Sequence, residues 1–97
     1  MSYTLVVDPK AIEQAAEIHE YYKAIGQALA DRFAYELDCC FKFIEENPLA
    51  YQVRLRAYRH ALVNGFRYRV VYAIRGNIVV VYQVQHTRRR PSRTYGP

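Results

Sequence analysis

Two dipeptides, Asn64-Gly65 and Gly76-Asn77, constrain this chain more than any other feature. Asparagine and glycine tolerate the positive φ angles that tight hairpin turns require. Each dipeptide lies between runs rich in β-branched and aromatic residues: Tyr58 to Val63, Phe66 to Arg75 and Ile78 to His86. The second half of the chain therefore reads as a three-stranded antiparallel meander. With two-residue loops the register follows by counting back from each turn. Val63 then faces Phe66, setting His60 against Arg69 and Leu62 against Arg67. Arg75 faces Ile78, setting Arg69 against Val84 and Arg67 against His86.

Side chains alternate along a strand, so this register gives the meander two unlike faces. One carries Phe66, Tyr68, Val70, Tyr72 and Ile74 with Ala61, Val63, Val79 and Val81, an apolar surface suited to receive helices. The other carries Tyr58, His60, Arg67, Arg69, Tyr82 and His86 toward one end, with Val71, Ala73 and Val80 beyond. Two arginines, two histidines and two tyrosines are thus expected on one open patch. Guanidinium forks bind phosphate or carboxylate, and tyrosine rings stack on bases or other aromatic groups. Taken one at a time, such cations are as well explained by the need to keep a sheet surface soluble.

The first half supplies the helices. Tyr3 to Val7 reads as a short strand and ends at Asp8-Pro9, where Asp8 caps a helix and Pro9 occupies its first position. Ala11, Ala15, Ile18, His19, Tyr22 and Ile25 share one helical face, opposite Glu13, Glu17, Glu20 and Lys23. His19 on the inner face reads as a core histidine rather than a catalyst. Gly26 is expected to end the helix in a left-handed conformation. A second helix runs from about Gln27 to Glu46 and stops at Asn47-Pro48. Its apolar stripe is Leu29, Ala30, Phe33, Leu37, Cys40, Phe41 and Ile44. A separate line of Tyr35, Cys39 and Phe43 fills a groove beside the sheet or first helix, or else forms a docking strip for a partner.

Length and charge narrow the function. The 97 residues allow one domain with one modest core, spanning 1–97 and ending in a basic tail from about 87. A net charge of +5 favours an anionic partner: nucleic acid, an acidic protein surface or lipid headgroups. No segment is apolar enough to span a bilayer and no leader begins the chain, so a cytoplasmic protein without membrane attachment is expected. The two cysteines, Cys39 and Cys40, are neighbours, which suits a reducing compartment and gives no metal-ligand spacing. No metal or cofactor is expected. The tail includes Arg88, Arg89 and Arg90, leaves the last strand beside its cationic end, and either extends that patch or meets an acidic partner.

The order strand, helix, helix, meander and basic tail resembles the RelE/ParE toxin superfamily. Phe66-Arg67-Tyr68-Arg69-Val70-Val71-Tyr72 is similar to the family's F-P-Y-R-hydrophobic-hydrophobic-Y strand, with Arg67 in place of the usual proline. His86-Thr87-Arg88-Arg89-Arg90-Pro91 resembles the H-x-x-R-x-P ending of ParE-like members. Glu45-Glu46-Asn47-Pro48 and Arg59 are further points of likeness. The resemblance covers nearly the whole chain. It implies an α+β fold with a helical hairpin packed on the meander, and the toxin of a bacterial type II toxin–antitoxin system.

By the same resemblance the partners are a cognate antitoxin and a cellular target. Tyr35, Cys39 and Phe43, together with the cationic face of the meander, are candidates for antitoxin contact. Arg59, Arg67, Arg69, Tyr82, His86, Arg88, Arg89 and Arg90 are candidates for target contact. The ParE-like pattern points to inhibition of DNA gyrase without catalysis. The alternative is a RelE-like endoribonuclease acting on mRNA in the ribosome, with Arg69, His86 and His60 as the catalytic candidates and Tyr95 a further proton-transfer group. Against the nuclease, the meander contains no acidic residue, and all three lysines lie in the helical half. A further alternative is a non-toxic basic module that binds nucleic acid.

Overall fold

The computed structural model describes residues 2–88, so Arg89, Arg90 and Tyr95 lie outside the described residues. The order of elements is β1 (Thr4–Val7), α1 (Pro9–Ile25), α2 (Gln27–Glu46), β2 (Val53–Leu55), β3 (Tyr58–Leu62), β4 (Tyr68–Arg75) and β5 (Ile78–His86). The architecture is α+β, with an antiparallel helical hairpin against a sheet, as the sequence implies. The sheet has five strands in the order β1-β5-β4-β3-β2, which extends the expected meander on both sides. β1 pairs in parallel with β5, and β2 adds a three-residue ribbon to β3.

Local chemistry sets the helix ends. Asp8 caps α1 by accepting from the Lys10 amide at 2.9 Å, with Pro9 at the first position. Gly26 separates the helices, but its φ of −178° is extended rather than left-handed, which corrects the expectation. A one-residue link must reverse the chain at once, and an extended residue spans that gap. Ile25, expected on the inner face, is 62% exposed because it lies at the end of α1, beyond the sheet.

The core forms where α1 and α2 cover one sheet face. Ala11, Phe33, Leu37, Cys40 and Ile44 meet Ala61, Val70, Tyr72, Val79, Val81 and Val84 there. Tyr22, Phe33, Phe66 and Tyr68 form an aromatic cluster with ring centroids 5.2–6.2 Å apart in tilted and edge-on arrangements. Buried polar backbone is satisfied from the helices: the Val84 amide donates to Gln14 Oε1 at 2.8 Å, and the Leu5 amide to Glu45 Oε2 at 3.0 Å. The second contact also occupies the outer edge of β1, where another chain would otherwise pair.

The register differs from the sequence expectation in two places. In the first hairpin Leu62, not Val63, begins the ladder, facing Arg69, and the Val63 amide donates to the Tyr68 carbonyl. Four residues, 64 to 67, therefore form the loop. Phe66 leaves the strand because its ring packs against Tyr22 and Phe33 at 5.2 and 5.3 Å. This shift of two residues leaves the faces of β3 and β4 unchanged. The second hairpin starts as expected, with Arg75 facing Ile78, but a bulge intervenes: Tyr72 faces Val81 whereas Val71 faces Gln83. Tyr82 is the extra residue. Beyond it every side chain of β5 changes face, so Arg69 opposes Gln85 and Tyr68 opposes His86.

Candidate functional site

The bulge divides the patch expected from the sequence into separate sites. Arg69, projecting from β4, donates from Nη2 to Gln85 Oε1 at 2.6 Å, and Gln85 Nε2 donates to Gln83 Oε1 at 2.7 Å. Both glutamines are almost fully buried. A chain of side-chain amides thus fixes the guanidinium in one orientation. His60 on β3 and Arg54 on β2 complete the walls of a cavity of about 540 Å³, with Tyr51, Leu62 and Thr87 at its margin.

His60 is the unusual group in this cavity. Burial, followed by the charges of Arg69 and Arg54, pushes its pKa down from 6.5 to about 4, so it is neutral at physiological pH. Its Nε2 is buried without a hydrogen-bond partner. A neutral imidazole between two guanidiniums is a weak general base at pH 7. It is also an unfilled donor or acceptor position in a site of positive potential.

His86 lies elsewhere. Its ring is edge-on to Tyr68 at 5.3 Å, on the helix side of the sheet, and its Nδ1 accepts from the Arg88 amide at 3.1 Å. Arg67 joins it at an aromatic edge cavity lined also by Tyr21, Tyr22 and Tyr68. The expected convergence of His86 and Arg67 with Arg69 and His60 is therefore not found. Tyr82 is edge-on to Tyr58 at 5.5 Å and accepts from Arg75 Nε at 3.2 Å, so it belongs to the turn-proximal end of the open face. Arg59 alternates onto the helix side, where it donates to the Tyr51 carbonyl and holds the loop that borders the cavity. Tyr72 Oη secures the same loop through the Pro48 carbonyl at 2.7 Å. Arg88 is exposed.

The Tyr35, Cys39 and Phe43 line projects from α2 away from the core. Tyr35 is 67% exposed, and contact with the Cys39 thiol pushes its phenol upward in pKa. Phe43 is also exposed and meets Tyr51 edge-on at 5.9 Å. Burial pushes the neighbouring Cys40 thiol up to about 11, leaving it unreactive. His19 is half-buried in the groove between the helices. Among the described residues no group of three His, Cys, Asp or Glu side chains is placed to hold a metal ion, and no helix is long and apolar enough to cross a membrane.

Sequence reasoning missed Arg54, Leu62, Gln83, Gln85 and Thr87. Arg54 rides on a strand too short to show a period. The glutamines did carry a signal: the inward valines change phase between Val81 and Val84, which a regular strand cannot accommodate.

Comparison with known proteins agrees with this architecture. Residues 5–91 match the family model described as the ParE toxin of the type II toxin–antitoxin system parDE. The structure is similar to a chain of the chromosomal ParDE toxin–antitoxin system from P. aeruginosa, with a TM-score of 0.77 at 15% identity, covering 88% of this chain and 96% of that one. It is also similar to the YoeB dimer from Staphylococcus aureus, with a TM-score of 0.58 at 15% identity, covering 89% and 98%. At such identities these two likenesses show a shared fold. No curated protein matched the sequence.

Proposed function

The chain belongs to the ParE toxin family of type II toxin–antitoxin systems, and from that premise we propose that it arrests growth by binding DNA gyrase, without chemistry of its own. The observation that carries this reading is the bulge at Tyr82. A nuclease needs a base, a charge stabiliser and an acid converging on one phosphodiester. Here Arg69 and His60 share one cavity, while His86 is turned to the other side of β5. His60, with a pKa near 4, is poorly matched to proton transfer at neutral pH. The cavity of Arg54, His60 and Arg69 is instead suited to hold an anionic group of a target protein. Arg88, with Arg89 and Arg90 of the tail, adds to the positive potential that steers such an encounter.

The partner that restrains the toxin is its cognate antitoxin, for which the strip of exposed Tyr35 and Phe43 with half-buried Cys39 between them is the apolar docking surface. The experiment is pulse labelling after induction without antitoxin, followed by a supercoiling assay with purified gyrase. An early fall in DNA synthesis with inhibited supercoiling is expected, and Arg69→Ala should weaken both while His86→Ala leaves them largely intact.

The second reading, a ribosome-dependent endoribonuclease, draws on Arg69 and His60 facing one cavity. It requires an early fall in protein synthesis and transcript cleavage that is lost in His60→Ala. That result would overturn the gyrase reading.

A further inference from the structure

The cationic cavity and the exposed strip of α2 are physically continuous. Tyr51 and Leu62 line the Arg54–His60–Arg69 cavity, and they also line a second cavity that opens against Cys39 and Phe43 of α2. Leu62 is 63% exposed at this divide. β2 pairs with β3 no further than Arg59, and Leu62, beyond that point, lines both cavities. A track therefore runs from Cys39 and Phe43 past Leu62 and ends at two guanidiniums and a buried imidazole nitrogen that has no partner.

We propose that a single segment of the antitoxin occupies this whole track, with apolar side chains on Phe43 and Leu62 and one Asp or Glu carboxylate seated between Arg54, His60 and Arg69. The proposal rests on the toxin–antitoxin reading above and gives it a mechanism of restraint: the segment fills the cavity assigned to the target.

Charge complementarity favours a carboxylate on a polypeptide. No residue after Glu46 is acidic, so the strand half of this chain has no side-chain carboxylate to offer the cavity. A nucleic acid strand is less well suited to the rest of the track. It would place successive phosphates against Leu62 and Phe43, beside the carboxylate of Glu36, which lines the second cavity. An amphipathic peptide matches both ends. Arg69, held by the Gln85–Gln83 relay, is already oriented to receive a carboxylate without a large loss of side-chain entropy.

The sign of a proton shift makes the idea testable. His60 is faced by Arg69 from β4, Arg54 from β2 and Tyr51 from the preceding loop, while β5 contributes the neutral amides of Gln83 and Gln85. A carboxylate seated here opposes the two positive charges and makes protonation of His60 easier. Apolar coverage alone would make it harder. The measurement is the NMR titration of the His60 imidazole in the free toxin and in the complex with its antitoxin, with affinity measured for Arg54→Gln, Leu62→Ser and Phe43→Ser. A rise of about two pH units in the His60 midpoint is expected on complex formation, equivalent to about a hundredfold preference of the antitoxin for the protonated toxin. Arg54→Gln should weaken binding about tenfold and reduce the rise.

A complex that forms and depends on Phe43, but leaves the His60 midpoint unchanged or lower, overturns the carboxylate seat while leaving the antitoxin reading in place. Failure to bind any antitoxin of the family overturns both. Inorganic phosphate or a short single-stranded oligonucleotide that raises the midpoint, where the antitoxin does not, reassigns the cavity to a phosphodiester.

Discussion

Replacing His60 by glutamine should make the free protein less sensitive to mild acid. In the folded chain the imidazole has a pKa of about 4, against 6.5 for an ordinary histidine. Between these values the unfolded chain binds a proton that the folded chain refuses, so stability falls as pH drops through 6.5 and levels off near 4. At about 1.4 kcal/mol per pH unit, the complete difference is worth about 3 kcal/mol for an enclosed ring. The cavity opens to solvent and the flanking guanidiniums are screened, which leaves about 1–2 kcal/mol. The assay is urea denaturation of wild type and His60→Gln at pH 7 and pH 4.5. Carboxylate titration contributes equally to both proteins and cancels in the double difference. Wild type should lose about 1–2 kcal/mol more than the variant between the two pH values. Equal losses would refute the argument that burial and the two arginines hold this ring neutral.

Four other perturbations test the fold that positions the site. Tyr72→Phe leaves the Pro48 carbonyl without its buried donor and should cost about 1–3 kcal/mol in denaturant titrations, with faster proteolysis in the segment 47–52. Gly76→Ala should cost about 1 kcal/mol because its φ of +64° disfavours a side chain. Gly26→Ala should be neutral or stabilising by a few tenths of a kcal/mol, since Gly26 is extended and a Cβ there meets no atom within 4 Å. Thermal melts of the two glycine variants separate these cases. Phe33→Ala removes the centre of the aromatic cluster and should cost about 3–5 kcal/mol, with loss of near-ultraviolet circular dichroism from the tyrosines.

The sequence by itself determined the elements and most of the core. Asp8-Pro9 and Asn47-Pro48 mark the outer ends of the helical hairpin, and Gly76-Asn77 sets the second turn, because capping, proline geometry and positive φ act within a few residues. The inward set from Phe33 to Val81 follows from periods of 3.6 and 2 that need no knowledge of the partner element. Tertiary structure alone decided what those elements bring together. Phe66 opens the first turn because its ring is worth more among Tyr22 and Phe33 than in a strand position. Tyr82 bulges at the point where inward valines change phase from Val81 to Val84, beyond the reach of β1 and where the Val84 amide meets Gln14 of α1. One inserted residue therefore set Gln85 rather than Val84 opposite Arg69 and turned His86 to the helix side, away from His60. Side-chain identity is written locally, but strand parity is set by the packing of the whole sheet against its helices. A single-residue change in that packing reassigns every side chain beyond it.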